Sequence, residues 1–453
     1  MRTECPACRK LHAAPDRSEP PRCLQCGAPT VALTPPPEET NPGSRLVEKA
    51  QCPHCWFEFA PEKVLWIAES EECFGDAVLG PHEQMRFSAS RFNETGLALD
   101  PKGLPCPRLA CPRCHLSIAA ELMLARPSFV SVVGSPGSGK SFLLASLTHT
   151  LRKLLPSSFR LAFNDIDAEG NATLLEYERI LFHDDGGNND WVTLRKTETQ
   201  GLDLYQEVRI DGEVQRLPRP FQFSVTPLPG HPAAAGDKPP AMALVLYDNA
   251  GESFLPGADT YNSPVTRHVA HSRGLVFVVD PTKDARFRAR LSTLDVDDPQ
   301  LRGGRDIFRQ DVMLGELAQR IRRLLNLAPN ERHRQPLVVA VSKFDLWRGL
   351  LSDPIEGPPV LANGGKTQKY DRAHVTMVSA QVRSILTELC PEIVTAAESN
   401  WSSVCFLPFS ATGCSPREHP ETKMLGLRPD ELRPVWPEAP FLYLLNEMTD
   451  WLK

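Results

Sequence analysis

Eight consecutive residues, Gly134-Ser135-Pro136-Gly137-Ser138-Gly139-Lys140-Ser141, have the types and spacing of a phosphate-binding loop. Glycine permits backbone conformations closed to other residues, so successive N–H groups can converge on phosphate oxygens. Lys140 has the reach to meet β- and γ-phosphates, and the Ser141 hydroxyl can ligate Mg²⁺. The apolar run from Phe129 to Val133 predicts a strand before the loop. Residues from Ser141 to Leu155 predict a helix after it, whose positive N-terminal end favours the same anion. That context points to a bound nucleotide.

Cysteine supplies a second chemistry. Eight of the 13 cysteines form CxxC pairs, namely Cys5/Cys8, Cys23/Cys26, Cys52/Cys55 and Cys111/Cys114. Two intervening residues let both thiolates of a pair meet one ion, and two pairs complete a tetrahedral site. The chain shows neither a signal-peptide core nor an apolar stretch long enough to span a membrane, so it reads as cytoplasmic. Zinc rather than disulfide is the expectation in that compartment. Cys5, Cys8, Cys23 and Cys26 make one expected site, with 14 residues between the two pairs. Cys52, Cys55, Cys111 and Cys114 make the other, across an insertion of 55 residues. Cys106 and His115 are alternative ligands beside it. Cys73, Cys390, Cys405 and Cys414 read as isolated thiols, and His268 and His271 as surface residues or part of a mobile loop.

Three further segments each follow an apolar run. They are Asp248-Asn249-Ala250-Gly251, Ser342-Lys343-Phe344-Asp345 and Ser410-Ala411-Thr412. With the phosphate loop, their types and order resemble the motifs of TRAFAC-class, Ras-like P-loop GTPases over roughly Ser128 to Lys453. The resemblance implies an α/β fold, a three-layer sandwich around a mainly parallel sheet, with ligands at the C-terminal ends of its strands. It implies that Asp248 holds Mg²⁺ through water and that the Gly251 N–H senses the γ-phosphate. Asp345 would accept hydrogen bonds from guanine N1 and N2, penalising adenine, with Lys343 lying along the base. A backbone N–H of Ser410-Ala411-Thr412 would meet guanine O6. The chain departs from the family pattern at Ser342, where Asn or Thr is usual. It departs again at Glu252, where Gln usually orients the attacking water, so slow hydrolysis is expected. The family's Mg²⁺-binding switch threonine belongs in the long interval before Asp248. There Thr197 is the first choice, Thr199 the second, and Arg195 a candidate for stabilising transition-state charge.

Composition fits a soluble globular chain: 453 residues, 23% charged, net charge −6. The expected organisation is a zinc ribbon over 1–30, a Pro-rich linker over 31–48, a second zinc module over 49–118 and the nucleotide domain over 128–453. Helical spacing over Gln310 to Leu327 sets Arg320, Arg322 and Arg323 on an outer face. The segment from Gly413 to Ala439 reads as an extended loop. A zinc-ribbon front on such a domain resembles the bacterial "double-GTPase" family of conflict systems. That likeness implies a switch using GTP and GDP with Mg²⁺, two zinc ions, and a protein partner, which in such a system could be another GTPase. Two other readings stand beside it. In one, the ribbons bind nucleic acid under nucleotide control, which the acidic balance disfavours. In the other, the chain is a generic P-loop ATPase.

Overall fold

The computed structural model describes residues 46–183, 191–192, 205–235, 240–249, 251–254, 267–294, 296, 298–302, 309–355, 357–361, 368–419, 423 and 425–453. It also describes three short strands, Arg2–Glu4, Leu11–Ala13 and Val31–Ala32. Two compact units result, Met1–Arg45 and Leu46–Lys453. In the first unit, Arg2–Glu4 pairs antiparallel with both of the other strands. Val31–Ala32, at the start of the expected linker, is thus part of that small sheet.

The second unit is mixed α/β. Its seven-stranded sheet uses, in chain order, β1 (Pro127–Gly134), β2 (Leu161–Asp165), β3 (Phe221–Pro227), β4 (Met242–Asp248), β5 (Gly274–Val279), β6 (Leu337–Val341) and β7 (Val404–Pro408). Spatially the order is β2-β3-β4-β1-β5-β6-β7. The five strands from β4 to β7 run parallel, whereas β3 pairs antiparallel with β2 and β4. β1, β4, β5 and β6 are buried along their whole length, as continuous Val/Leu/Phe runs covered on both faces must be. After β1 the chain crosses to the far edge at β2 and returns inward through β3 to β4 beside β1, and β5 then takes the other side of β1. The crevice where the order reverses therefore opens at the C-terminal end of β1.

Covering helices include α1 (Lys140–Leu154), α2 (Ala172–Phe182), α3 (Gln310–Leu324), α4 (Arg372–Leu389), α5 (Pro391–Asn400) and α6 (Ala439–Met448). Arg152 on α1 ties neighbouring elements together, at 2.7 Å from Asp165 on β2 and 3.1 Å from Glu178 on α2. α3 departs from its expected polarity. Arg320 is buried, bonds Glu316 at 2.8 Å and lies over the Phe254 ring at 5.5 Å. The helix is covered on more than one side, so its outward face is narrower than a single apolar stripe implies. The segment expected as an extended loop also carries structure, a short hairpin of Arg417–Glu418 and Leu425–Gly426.

Residues 46–126 form small antiparallel pieces. Ala50–Gln51 pairs with Glu58–Phe59 around the first CxxC turn, and Leu109–Ala110 with Ser117–Ile118 around the second. Leu65–Ile67 from the insertion pairs with Leu109–Ala110, and Arg86–Phe87 adds the fourth strand. The interval between α2 and β3 contributes a hairpin, Tyr205–Ile210 with Glu213–Pro218. Its Val208, Ile210 and Leu217 share one apolar cluster with the four cysteines, Phe59, Leu109 and Leu116.

The central strands carry the site, so their packing sets its stability. Phe277→Ala, at a fully buried ring on β5, is expected to cost about 3–5 kcal/mol. A lowered urea midpoint with unchanged slope would show it.

Candidate functional site

Five segments remote in sequence end at the same edge of the sheet. Residues 134–141 join β1 to α1, Asp248 closes β4, Asp280 follows β5, Ser342–Asp345 follows β6, and Ser410–Thr412 follows β7. In the first of these, Gly137 and Gly139 have φ of 67° and 93°, the left-handed region that favours glycine. Lys140 is buried, and its Nζ donates to the carbonyls of Gly134 (2.9 Å) and Ser135 (3.1 Å). The ammonium is thus held over the hollow of its own loop. Gly251 lies against that loop so closely that a Cβ there would sit 2.5 Å from the Pro136 nitrogen.

The Ser141 hydroxyl donates to Asp248 Oδ2 at 3.0 Å. Asp248 Oδ1 is buried and has no hydrogen-bond partner among the described residues. Burial pushes this carboxyl above its usual range, with Lys140 and Ser141 acting in the opposite sense. A buried carboxylate with one oxygen on a hydroxyl and the other partnerless is chemically suited to a divalent cation. Ser141 and Asp248 are the residues that would hold an ion such as Mg²⁺.

Ser342, Lys343, Asp345, Phe409, Ser410, Ala411 and Thr412 line a cavity of about 340 Å³ that reaches Gly137–Gly139. Lys343 adopts φ 55° and donates to Asp280 Oδ2 and Thr282 Oγ1, both at 2.9 Å. Its stem is therefore fixed along one wall. Burial raises the Asp345 carboxyl, and a hydrogen bond from Ser410 opposes that rise. The cavity continues to Phe142, Val192, Cys414, Pro416 and Leu425–Leu427. Val192 and Leu427 exchange backbone hydrogen bonds of 2.8 and 2.9 Å, which joins the long interval to the 417–426 hairpin over this cavity.

The four thiols of Cys52, Cys55, Cys111 and Cys114 converge within 4.8 Å of one another, all buried. Cys52 and Cys114 Sγ lie 3.7 Å apart, as do Cys55 and Cys111. A tetrahedron with Zn–S of about 2.3 Å has edges of about 3.8 Å, so the spacing suits zinc. The two turns repeat each other. The His54 N–H lies 3.4 Å from Cys52 Sγ, and the Arg113 N–H 3.4 Å from Cys111 Sγ. Trp56 and His115, each next after the second cysteine of its pair, have φ of 56° and 60°. This buried Cys₄ group can hold zinc. His115 is not part of it, since its Nδ1 bonds Asp76 at 2.8 Å. Cys106 lies apart in a strand paired with Ala98–Leu99, its thiol donating to Leu104 O.

Cys5, Cys8, Cys23 and Cys26, and likewise Arg195, Thr197, Thr199 and Ala250, lie outside the described residues. Glu252 falls in a short 3₁₀ turn, Gly251–Phe254, and its side chain is likewise outside them. Of the two readings given for His268 and His271, the surface one fails for His268, which is fully buried with its ring stacked on Tyr247 and its nitrogens paired with Asn249 and Ser131, whereas His271 is exposed. Sequence reasoning passed over Asp280, Asp298, Gln310 and Tyr247. Asp280 closes the apolar run of β5, and a carboxylate ending a buried strand was a usable signal. Gln310 accepts from Asp280 N (2.8 Å) and donates to Asp280 O (2.9 Å), which long-range geometry alone reveals.

No family model matches the chain, and no curated protein matches it. Among solved structures it is similar to a mutation variant of SsGBP, at 11% identity and TM-score 0.21, covering 63% of this chain and 51% of that one. It is also similar to the S. cerevisiae Ski7 GTPase-like domain bound to GTP, at 15% identity and TM-score 0.25, covering 71% and 50%. The chain thus spans about half the length of each. At these scores the likeness is distant, and the chemistry rests on the residues and distances above. Among the described residues no helix is long and apolar enough to cross a membrane.

Cys111→Ser is expected to remove one equivalent of zinc per chain, because three thiolates and a hydroxyl hold zinc far less tightly. Metal content by plasma mass spectrometry after brief chelator treatment checks this. Full retention would contradict the Cys₄ assignment.

Proposed function

We propose that this chain is a guanine-nucleotide-binding switch with slow GTP hydrolysis, built on a P-loop GTPase sandwich. The observation that carries this reading is the continuous cavity from Gly137–Gly139 to Asp345 and Ser410–Thr412, together with the Ser141–Asp248 hydrogen bond at the end of the same 134–141 loop. The strand order, with β1 central and the order reversing at its C-terminal end, supports the same reading.

In this account the phosphates lie in the 134–141 loop, where N–H groups, Lys140 and the N-terminus of α1 compensate their charge. Ser141 and Asp248 hold Mg²⁺, which supplies charge neutralisation at the β- and γ-phosphates. Asp345 selects the base, since a partly buried carboxylate at this edge of the base favours the two N–H donors that guanine N1 and N2 present there and adenine lacks. Lys343 keeps that wall rigid through Asp280 and Thr282. Gly251, fitted against the loop at Pro136, would register the γ-phosphate and pass its presence to the following segment. Glu252 in place of the usual Gln would keep hydrolysis slow. Such a switch acts on a protein partner, and another GTPase of a bacterial conflict system is the candidate the resemblance suggests.

Two variants test base selection. Asp345→Ala is expected to weaken GTP about 100-fold, the scale of two hydrogen bonds to a charged group, and to leave ATP as tight or tighter, because the carboxylate that penalises adenine is gone. Asp345→Asn exchanges one acceptor for a donor, so it should favour xanthosine triphosphate, whose C2 carries a carbonyl. Fluorescent-nucleotide competition reads both, and equal losses for GTP and ATP would contradict the reading.

A further inference from the structure

The notable contact outside the nucleotide cavity joins the Cys₄ turn to the strand end that carries Asp248. Trp56 directly follows Cys55 and sits in the left-handed region, a conformation costing a non-glycine residue about 1–2 kcal/mol. The turn enforces it, because the Trp56 N–H donates to Cys52 O at 3.1 Å while Cys52 and Cys55 converge on one point. The direction of the indole is thereby set by the thiol cluster. Its Nε1–H donates to the Tyr247 hydroxyl at 3.0 Å, and that hydroxyl donates back to Pro53 O at 2.6 Å. Tyr247 immediately precedes Asp248.

From Tyr247 the contact continues to the loop beyond Asp248. The His268 ring stacks on the Tyr247 ring, with centroids 4.7 Å apart and planes 18° from parallel. His268 Nε2 pairs with Asn249 Oδ1 at 2.8 Å, and the Asn249 amide donates to Val132 O at 3.3 Å. Val132 is the register partner of Asp248 across β1 and β4. His268 Nδ1 is paired in turn with Ser131 Oγ at 2.6 Å. His271 stacks on the other side of this group, 5.5 Å from Trp56 and 5° from parallel. The same Cys₄ turn also contacts a second segment. His54 lies 3.1 Å from Pro218 O, at the end of the hairpin from the interval between α2 and β3.

We propose that the Cys52/Cys55/Cys111/Cys114 metal turn is a positioning element of the nucleotide site, with Trp56 and Tyr247 setting the Asp248–Asn249 backbone. This rests on the nucleotide reading above. It assigns Trp56 a role at the site without contact to the ligand. Metal binding and Mg²⁺-nucleotide binding are then coupled, and the coupling is reciprocal.

The test uses the full zinc-loaded chain, wild type and Trp56→Phe, which keeps an aromatic ring and removes the donor. Three quantities are measured: zinc content, GDP and GTP affinity with Mg²⁺ and in chelator-free buffer without Mg²⁺, and, separately, the rate of zinc loss to a metallochromic chelator. Trp56→Phe is expected to keep its zinc and its melting temperature within a few degrees. It should weaken Mg²⁺-dependent binding about fivefold, the scale of one hydrogen bond, while leaving binding in Mg²⁺-free buffer unchanged. In the wild type, saturating Mg²⁺-GDP should slow zinc loss by a similar factor, which needs no variant to read. Wild-type Mg²⁺ dependence in Trp56→Phe, together with zinc loss insensitive to nucleotide, overturns the proposal alone. A wild type that binds no nucleotide overturns the functional reading and this proposal together.

Discussion

A buried carboxylate needs compensation, and Asp248 is only half compensated by the protein. One oxygen takes the Ser141 hydroxyl, and the other makes no well-formed hydrogen bond among the described residues, with only the Asn249 N–H nearby. Charge buried without a partner costs several kcal/mol or is neutralised by a proton, which is the direction in which burial moves Asp248. A divalent cation removes that cost. The surroundings are arranged around this point. β4 delivers Asp248 to the sheet edge, β1 delivers the phosphate loop beside it, and Lys140 brings the nearest positive charge. Gly251 is excluded from bearing a side chain by the Pro136 backbone on the same spot.

The cysteine-bearing residues 46–126 belong to the same compact unit as the sheet. Their cluster shares apolar contacts with the 205–218 hairpin and with Ala243 on β4. Trp56, Phe129, Val245 and Tyr247 form a further apolar group between the Cys₄ turn and β1 and β4. A metal turn built into the wall of a sheet differs physically from a ribbon carried on a flexible linker. Loss of its metal would reach the sheet through packed rings, not through a tether.

The parts legible in the sequence were those with local causes. Strands β1, β4, β5 and β6 were legible as apolar runs, broken in β1 by Ser131, because strands covered on both faces carry few polar residues. The Cys₄ group was legible because CxxC spacing constrains two thiols at once, even across the insertion. What escaped depends on contacts between distant segments. Arg320 follows helical spacing on paper, yet it is buried beside Phe254, since α3 is covered on a second side. His268 has no local mark of burial, and its position follows from Tyr247, Asn249 and Ser131 together. The hairpin over the cavity joins Val192 to Leu427 across more than two hundred residues, so its Pro-rich composition suggested only a loop.

The central claim is that this sheet edge selects guanine nucleotides through Asp345 while holding their phosphates at Lys140, Ser141 and Asp248. Equilibrium binding of the wild-type chain to GTP, GDP and ATP, with Mg²⁺ present, addresses it most directly. The account predicts that GTP and GDP bind and that ATP is weaker by about 100-fold or more, since adenine offers the Asp345 carboxylate no N–H donors in place of guanine N1 and N2. ATP binding as tight as GTP, or no binding of either, would contradict it.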